Sequence, residues 1–178
     1  MSKEKTYVFI GLQVVAWIIF VALCIEAGAL LVNFVFSLFK PEIVKNLYEK
    51  MDLSDMYLRS KWAYFTMYTF LLCISFMKAF LFYLVIKMLM KLDLSKPFNS
   101  FVARQINLMS FFTLAIGLFG YIARQTAKDL MQKGYNVDSL EKFWGDSQAF
   151  ILMAAVIYVI ACIFAKGVEL QNENDLTV

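Results

Sequence analysis

Apolar residues fill four long blocks of this chain, 6–39, 62–86, 100–123 and 147–165, separated by short mixed stretches. Each block is close to or longer than the roughly 20 residues that a helix needs to cross a bilayer. The last two carry no charge from Gln105 to Ala123 and from Ser147 to Ala165. All four are continuous runs, whereas barrel strands alternate apolar and polar positions, so the blocks predict helices. Lys3 and Lys5 precede the first block and Ala27, Gly28 and Ala29 lie inside it, as in a signal peptide. The apolar run continues far past the short core of such a leader and reads as a first span. The expected fold is an all-α integral membrane protein, a single domain over 1–178 with four transmembrane helices in an antiparallel bundle, short helical connections, and a polar tail over 166–178.

The connections carry patterns of their own. In the stretch from Pro41, a good first helical residue, Ile43, Val44, Leu47, Tyr48 and Met51 recur on one face and predict an amphipathic helix, on the membrane surface or capping the bundle. The third block is expected to continue as helix to a stop at Gly134, and Asp138 with Glu141 marks a new start. Together these predict a small helical cap on the side opposite the termini.

Small and polar residues recur at helical spacing within the blocks: Ala22, Glu26, Ala29 and Asn33; Ala103, Asn107, Ser110, Thr113, Gly117 and Gly120; Ala154, Tyr158, Ala161 and Ala165. Small residues let membrane helices approach and polar ones can bond across the contact, so Asn33, Asn107, Ser110 and Thr113 are candidate packing residues. Glu26 and Lys78 are the ionisable residues that stand deep in their blocks. In a tight hairpin of the first two helices their depths differ by about 6 Å at ~1.5 Å per residue. A charge in lipid is costly, so they are expected to pair inside the bundle. The pair would fix helix register, or act as a switch or proton site; the alternative is that each side chain snorkels to an opposite interface.

Composition narrows the chemistry further. The chain is 61% hydrophobic and only 17% charged, and has no histidine, the commonest general base and metal ligand. Cys24, Cys73 and Cys162 stand singly on three blocks, without metal or redox spacing, and read as packing residues. No phosphate loop, nucleophile elbow or paired-carboxylate motif is present. No enzyme, catalytic residue, metal or cofactor is expected. The basic stretch from Lys87 to Arg104 is too short to predict direct nucleic-acid binding and suits the surface of an anionic membrane.

Four crossings put both termini on one side. A raw count of Lys and Arg slightly favours the two longer connections as cytoplasmic. The short second connection, with Lys87, Lys91, Lys96 and Arg104, is nearly all basic, and on that ground the termini are placed inside.

"KLDLSKPFNSFVARQINLMSFFTLAIGLFGYIA" and the terminal "KGVELQNENDLTV" resemble the small bacterial four-helix membrane proteins known as domain of unknown function 2975 (DUF2975). The resemblance runs from the second helix to the C-terminus and is most specific in the Pro97-Phe98-Asn99 turn and in the ending Glu169-Leu170-Gln171 to Asp175-Leu176-Thr177-Val178. It implies no catalytic residue. It does imply a bacterial inner membrane and a partner, because in that family the gene often neighbours one for a very small helix-turn-helix regulator. The tail fits such a partner: Val168, Leu170, Leu176 and Val178 are apolar anchors among Glu169, Glu173 and Asp175, a docking strip for a small basic protein. The plainer reading is that the tail solvates the fourth helix or folds against the Pro97 turn. The leading expectation is a non-enzymatic regulatory membrane protein that holds or releases such a regulator. The alternatives are a small transporter or channel component using Glu26 and Lys78, and a structural subunit of a membrane complex. Membrane lipid is an expected partner in every case, and self-association through the third helix remains open.

Overall fold

The computed structural model describes residues 3–92 and 98–176, with side chains over 7–92 and 98–173. It is all-α: α1 (Lys3–Phe39), α2 (Ser54–Arg59), α3 (Lys61–Lys91), α4 (Ser100–Gln132) and α5 (Ser147–Leu176), with 3-10 turns at Pro41–Lys45, Tyr48–Lys50 and Asp138–Phe143. The four longer helices are each apolar and long enough to cross a membrane. They form an antiparallel bundle in chain order, α1 packing on α3, α3 on α4 and α4 on α5.

Helix ends follow local chemistry. The Ser60 hydroxyl accepts the Ala63 N–H at 3.3 Å and starts α3; the Asn99 side chain accepts the Val102 N–H at 2.9 Å and starts α4. Gly134, at φ +79°, ends α4, with its own N–H on the Met131 carbonyl and the Tyr135 N–H on Leu130. That pair of bonds needs a left-handed residue at the turn, which glycine supplies without a steric penalty. After Asp138 the chain makes a 3-10 turn with no side-chain cap, so the capping pair expected of Asp138 and Glu141 does not form.

The first connection differs from its sequence pattern. The apolar set from Ile43 to Met51 does face inward, with Val44, Leu47 and Met51 buried. The chain there is not one amphipathic helix, however. Glu49 and Lys50 take positive φ (54° and 59°), the Leu47 N–H bonds the Met51 carbonyl, and the Leu53 N–H returns to Val44. Two successive left-handed residues make a tight reversal of the kind that closes hairpins, usually the place of Asn-Gly. Burial of Leu47 and Met51 on either side of the reversal outweighs the helical preference of the residues between them.

The densest core lies at the connection end of the bundle. α5 starts at Ser147, beside Gly117 and Gly120, and α4 runs about 18 Å further, twelve residues at ~1.5 Å each. One core gathers there the first half of α3 (Tyr64, Met67, Tyr68), the first connection (Val44, Met51), which packs on α1 and α2, the α4 extension (Ala123, Ala127) and the third connection (Leu140, Trp144). Charges stitch the outside of this cap. Arg59 donates to the carbonyls of Gly134 (2.7 Å) and Lys133 (3.0 Å) and lies 4.2 Å over the Tyr135 ring, and Lys142 pairs with Glu49. A guanidinium at these carbonyls also meets the negative end of the α4 dipole.

Candidate functional site

The two charged side chains singled out by the sequence stand near one level, as expected, but on different partners. Ser75 donates its hydroxyl to Glu26 Oε1 at 3.3 Å. Lys78 reaches the Phe143 carbonyl at 3.5 Å and approaches the Phe150 ring at 6.0 Å. The ion pairs among the described residues are Arg59–Asp55, Lys142–Glu49 and Lys166–Glu169, so Glu26 and Lys78 are not joined. Helix geometry gives the reason. Side chains lean toward the N-terminus of their own helix, and α1 and α3 are antiparallel, so Glu26 leans away from the cap while Lys78 leans into it. Ser75 and Lys78, one turn apart on α3, are directed to different partners, Ser75 to α1 and Lys78 to the third connection. Snorkelling thus describes Lys78 better than pairing does. In the first connection the Tyr48 phenol is pushed up by burial and then by the neighbouring Glu49 charge, with Lys142 opposing.

A groove begins one helical turn beyond Lys78, which lines the small cavity next to it. On the same side of α3, Leu81, Phe82 and Val85 form one wall; Phe150 and Met153 of α5 form the other, with Thr113 of α4 on the floor. The groove has a volume of about 420 Å³ and is nearly all apolar. At its cap end a second, small cavity of about 20 Å³ is lined by Lys78, Lys142, Asp146 and Ser147. Phe150 and Asp146 border both, so the two adjoin. Ser147 is 2% exposed, and its hydroxyl has no hydrogen-bond partner. Neither the groove nor the part played by Ser147 is visible in the sequence, where Lys78 at i with Leu81, Phe82 and Val85 at i+3, i+4 and i+7 is the one available signal.

The candidate packing residues divide. Ser110 and Thr113 are buried at the helix contact as expected, but each hydroxyl donates to its own helix, to the Asn107 and Met109 carbonyls at 2.7 Å. Asn33 and Asn107 are half-buried. Among the described residues, the side-chain bonds that cross between the long helices come from donors not singled out: Tyr68 to the Leu30 carbonyl (3.0 Å), Gln13 to the Leu89 carbonyl (3.2 Å) and Ser75 to Glu26. The buried stripe of α1 is Ala16, Ala27, Leu30 and Ser37, displaced from the expected Ala22, Glu26, Ala29 and Asn33, and Ala22 is exposed. On α5, Ala154 and Ala161 are buried, whereas Tyr158 and Ala165 face outward, as do Cys24 of α1 and Cys162 of α5. The small-residue face of α4 is taken within the chain, since Gly117 and Gly120 lie against Ile151 and Ser147 of α5.

The tail continues α5 as helix past Lys166 to Leu176. At its root the Phe98 ring sits on Gly167, where a Cβ would come within 2.4 Å of it, and packs at 5.4 Å on Phe164. Beyond that contact Glu169, Leu170 and Glu173 are exposed, Gln171 is half-buried, and Lys166 pairs with Glu169 at 2.6 Å. Asn99 of the same turn caps α4. Pro97, Thr177 and Val178, and the side chains of Asp175 and Leu176, lie outside the described residues.

These features define an all-α, multi-pass membrane protein with a helical cap at one end and a continuous helical tail at the other. No protein-family model matches the chain, and no match was found among curated proteins or solved structures.

Proposed function

We propose that this is a non-enzymatic regulatory protein of a bacterial inner membrane, with both termini in the cytoplasm, whose tail holds or releases a small helix-turn-helix regulator. The observation that carries the reading is the unbroken run of α5 from Ser147, at the groove and cap, to Leu176 in the tail. A helix that is continuous between two places moves as one body, so a change of packing at the cap displaces the tail. The Phe98 contact on Gly167 anchors the root of that lever, and the exposed Glu169, Leu170 and Glu173 beyond it offer acids around an apolar anchor to a basic protein. The kind of partner rests on the resemblance to DUF2975 proteins, which is part of this proposal. The cytoplasmic placement rests on the basic second connection, whose Lys91 lies 4.6 Å over the Phe101 ring next to the α4 start.

Purification from native membranes tests it, comparing the intact chain with one cut after Gly167. Recovery of a small helix-turn-helix protein with the intact chain alone supports the reading. Equal recovery from both, or no soluble partner from either, overturns it.

A further inference from the structure

We infer that the groove between α3 and α5, with the small cavity at Lys78 that adjoins it, is a binding site for one zwitterionic aminophospholipid of the surrounding bilayer. One acyl chain lies between α3 and α5, the phosphate meets Lys78, and the ammonium meets Asp146.

The apolar part sets the size and kind of the occupant. About 420 Å³ falls within the ~300–1,000 Å³ of small-molecule sites, and such sites combine an apolar lining with a few placed polar groups. The groove lies between α3 and α5, which are each packed on α4 rather than on one another, so it opens sideways to the membrane. A lipid can enter from the bilayer plane without crossing water.

The polar end sets the headgroup. Lys78 has no anion within ion-pair distance, and its contacts are a carbonyl at 3.5 Å and a ring at 6.0 Å. An ammonium held beside apolar walls gains from an anionic oxygen. Ser147 adds a buried hydroxyl without a partner, lining the same small cavity, and that cavity exceeds the ~10–15 Å³ needed for one water-sized group. A phosphate or glycerol oxygen there satisfies both. Of the other charges facing this end, Lys142 and Glu49 neutralise one another. Asp146 is exposed, whereas Lys78 is half-buried, and Asp146 borders both cavities. A half-buried cation with an exposed anion at the same cavity is complementary to a phosphate carrying an ammonium and not to a purely anionic head. The site stands whether or not the tail holds a regulator.

Native mass spectrometry of the full chain, released from micelles containing phosphatidylethanolamine and phosphatidylglycerol of identical acyl chains, reads the site directly. One phosphatidylethanolamine should be retained in preference to phosphatidylglycerol. Lys78→Gln should lower retention about tenfold or more, the usual scale of a charge-assisted contact. Asp146→Asn should turn the preference toward phosphatidylglycerol. Ala149→Trp, at an exposed groove position, should abolish retention of both while the elution profile and melting temperature stay those of the parent protein. Retention unchanged in Ala149→Trp would mean annular lipid only and overturn the proposal, as would a parent preference for phosphatidylglycerol, binding of free fatty acid but neither phospholipid, or an Asp146→Asn preference identical to the parent's. If Lys78→Gln does not fold, the Asp146 and Ala149 variants decide alone.

Discussion

The two outer seams of the bundle hold their helices by opposite means. Between α4 and α5 the contact is close approach: at Gly117 an added Cβ would stand 2.6 Å from Ile151 Cγ1 and 2.9 Å from the Ile151 backbone nitrogen, and at Gly120 3.0 Å from Ser147 Cβ. Between α1 and α3 no described glycine makes such an approach, and Gly11 and Gly28 of α1 have open space where a side chain would be. Side chains join that seam, in the Phe34–Tyr68 (5.2 Å) and Phe20–Tyr83 (6.3 Å) ring contacts and in the hydrogen bonds from Tyr68, Gln13 and Ser75. In lipid the hydrophobic effect does not draw helices together, so packing and interhelical hydrogen bonds must, and this chain uses one at each edge.

The largest test of that contrast is a matched pair of substitutions. Gly117→Leu should prevent α5 from docking, costing several kcal/mol as overpacking against backbone does, whereas Gly28→Leu on α1 should change the melting temperature in detergent little. Equal losses would remove the distinction between the seams. The hydrogen bonds give the next step. Tyr68→Phe should cost about 1 kcal/mol because it strands the Leu30 contact, while Ser110→Ala should cost less than ~0.5 kcal/mol because that hydroxyl only doubles a bond within α4. Denaturant titration of the two variants orders them. Smallest is the coupling of Glu26 and Lys78. A double-mutant cycle with Glu26→Gln and Lys78→Met should be additive within ~0.5 kcal/mol, since the two side chains serve different contacts. A coupling of several times that size would restore a direct pair.

How much of this could be read in the sequence depended on which physical signal each part carries. The four spans, the extension of α4 to Gly134 and the stripe from Ser110 to Gly120 were legible because length, charge absence, a left-handed glycine and helical period are local properties. The first connection was half legible: its buried residues follow from their apolarity, but the reversal at Glu49 and Lys50 does not, because neither residue favours positive φ and tertiary burial imposes it. The depth of Glu26 and Lys78 could be counted, yet their partners could not, since a one-dimensional count omits the opposite lean of side chains on antiparallel helices. The α1 face was displaced for a related reason. Its residues are apolar nearly all round, so periodicity leaves the buried side undetermined, and Tyr68 with Leu30 decides it in the fold. The groove arises from the separation of α3 and α5, a relation between elements that has no sequence signal.

The length of α1 has a consequence for thickness. Its apolar stretch, Tyr7–Phe39, measures about 50 Å at ~1.5 Å per residue, against ~30 Å of hydrocarbon in an ordinary bilayer. The surplus is not covered by protein, because Val32, Phe36 and Phe39 of α1 and Trp62 of α3 stay exposed beside the cap, the last two at 78% and 84%. A thicker membrane immerses more of these residues and a thinner one releases them or tilts α1, each at a modest cost per ångström. A fluorophore at position 39 in nanodiscs of graded acyl length should shift steadily toward the blue as chains lengthen, and an emission that ignores chain length would refute the coupling. Hydrophobic mismatch thereby acts on the helix that leads directly into the cap.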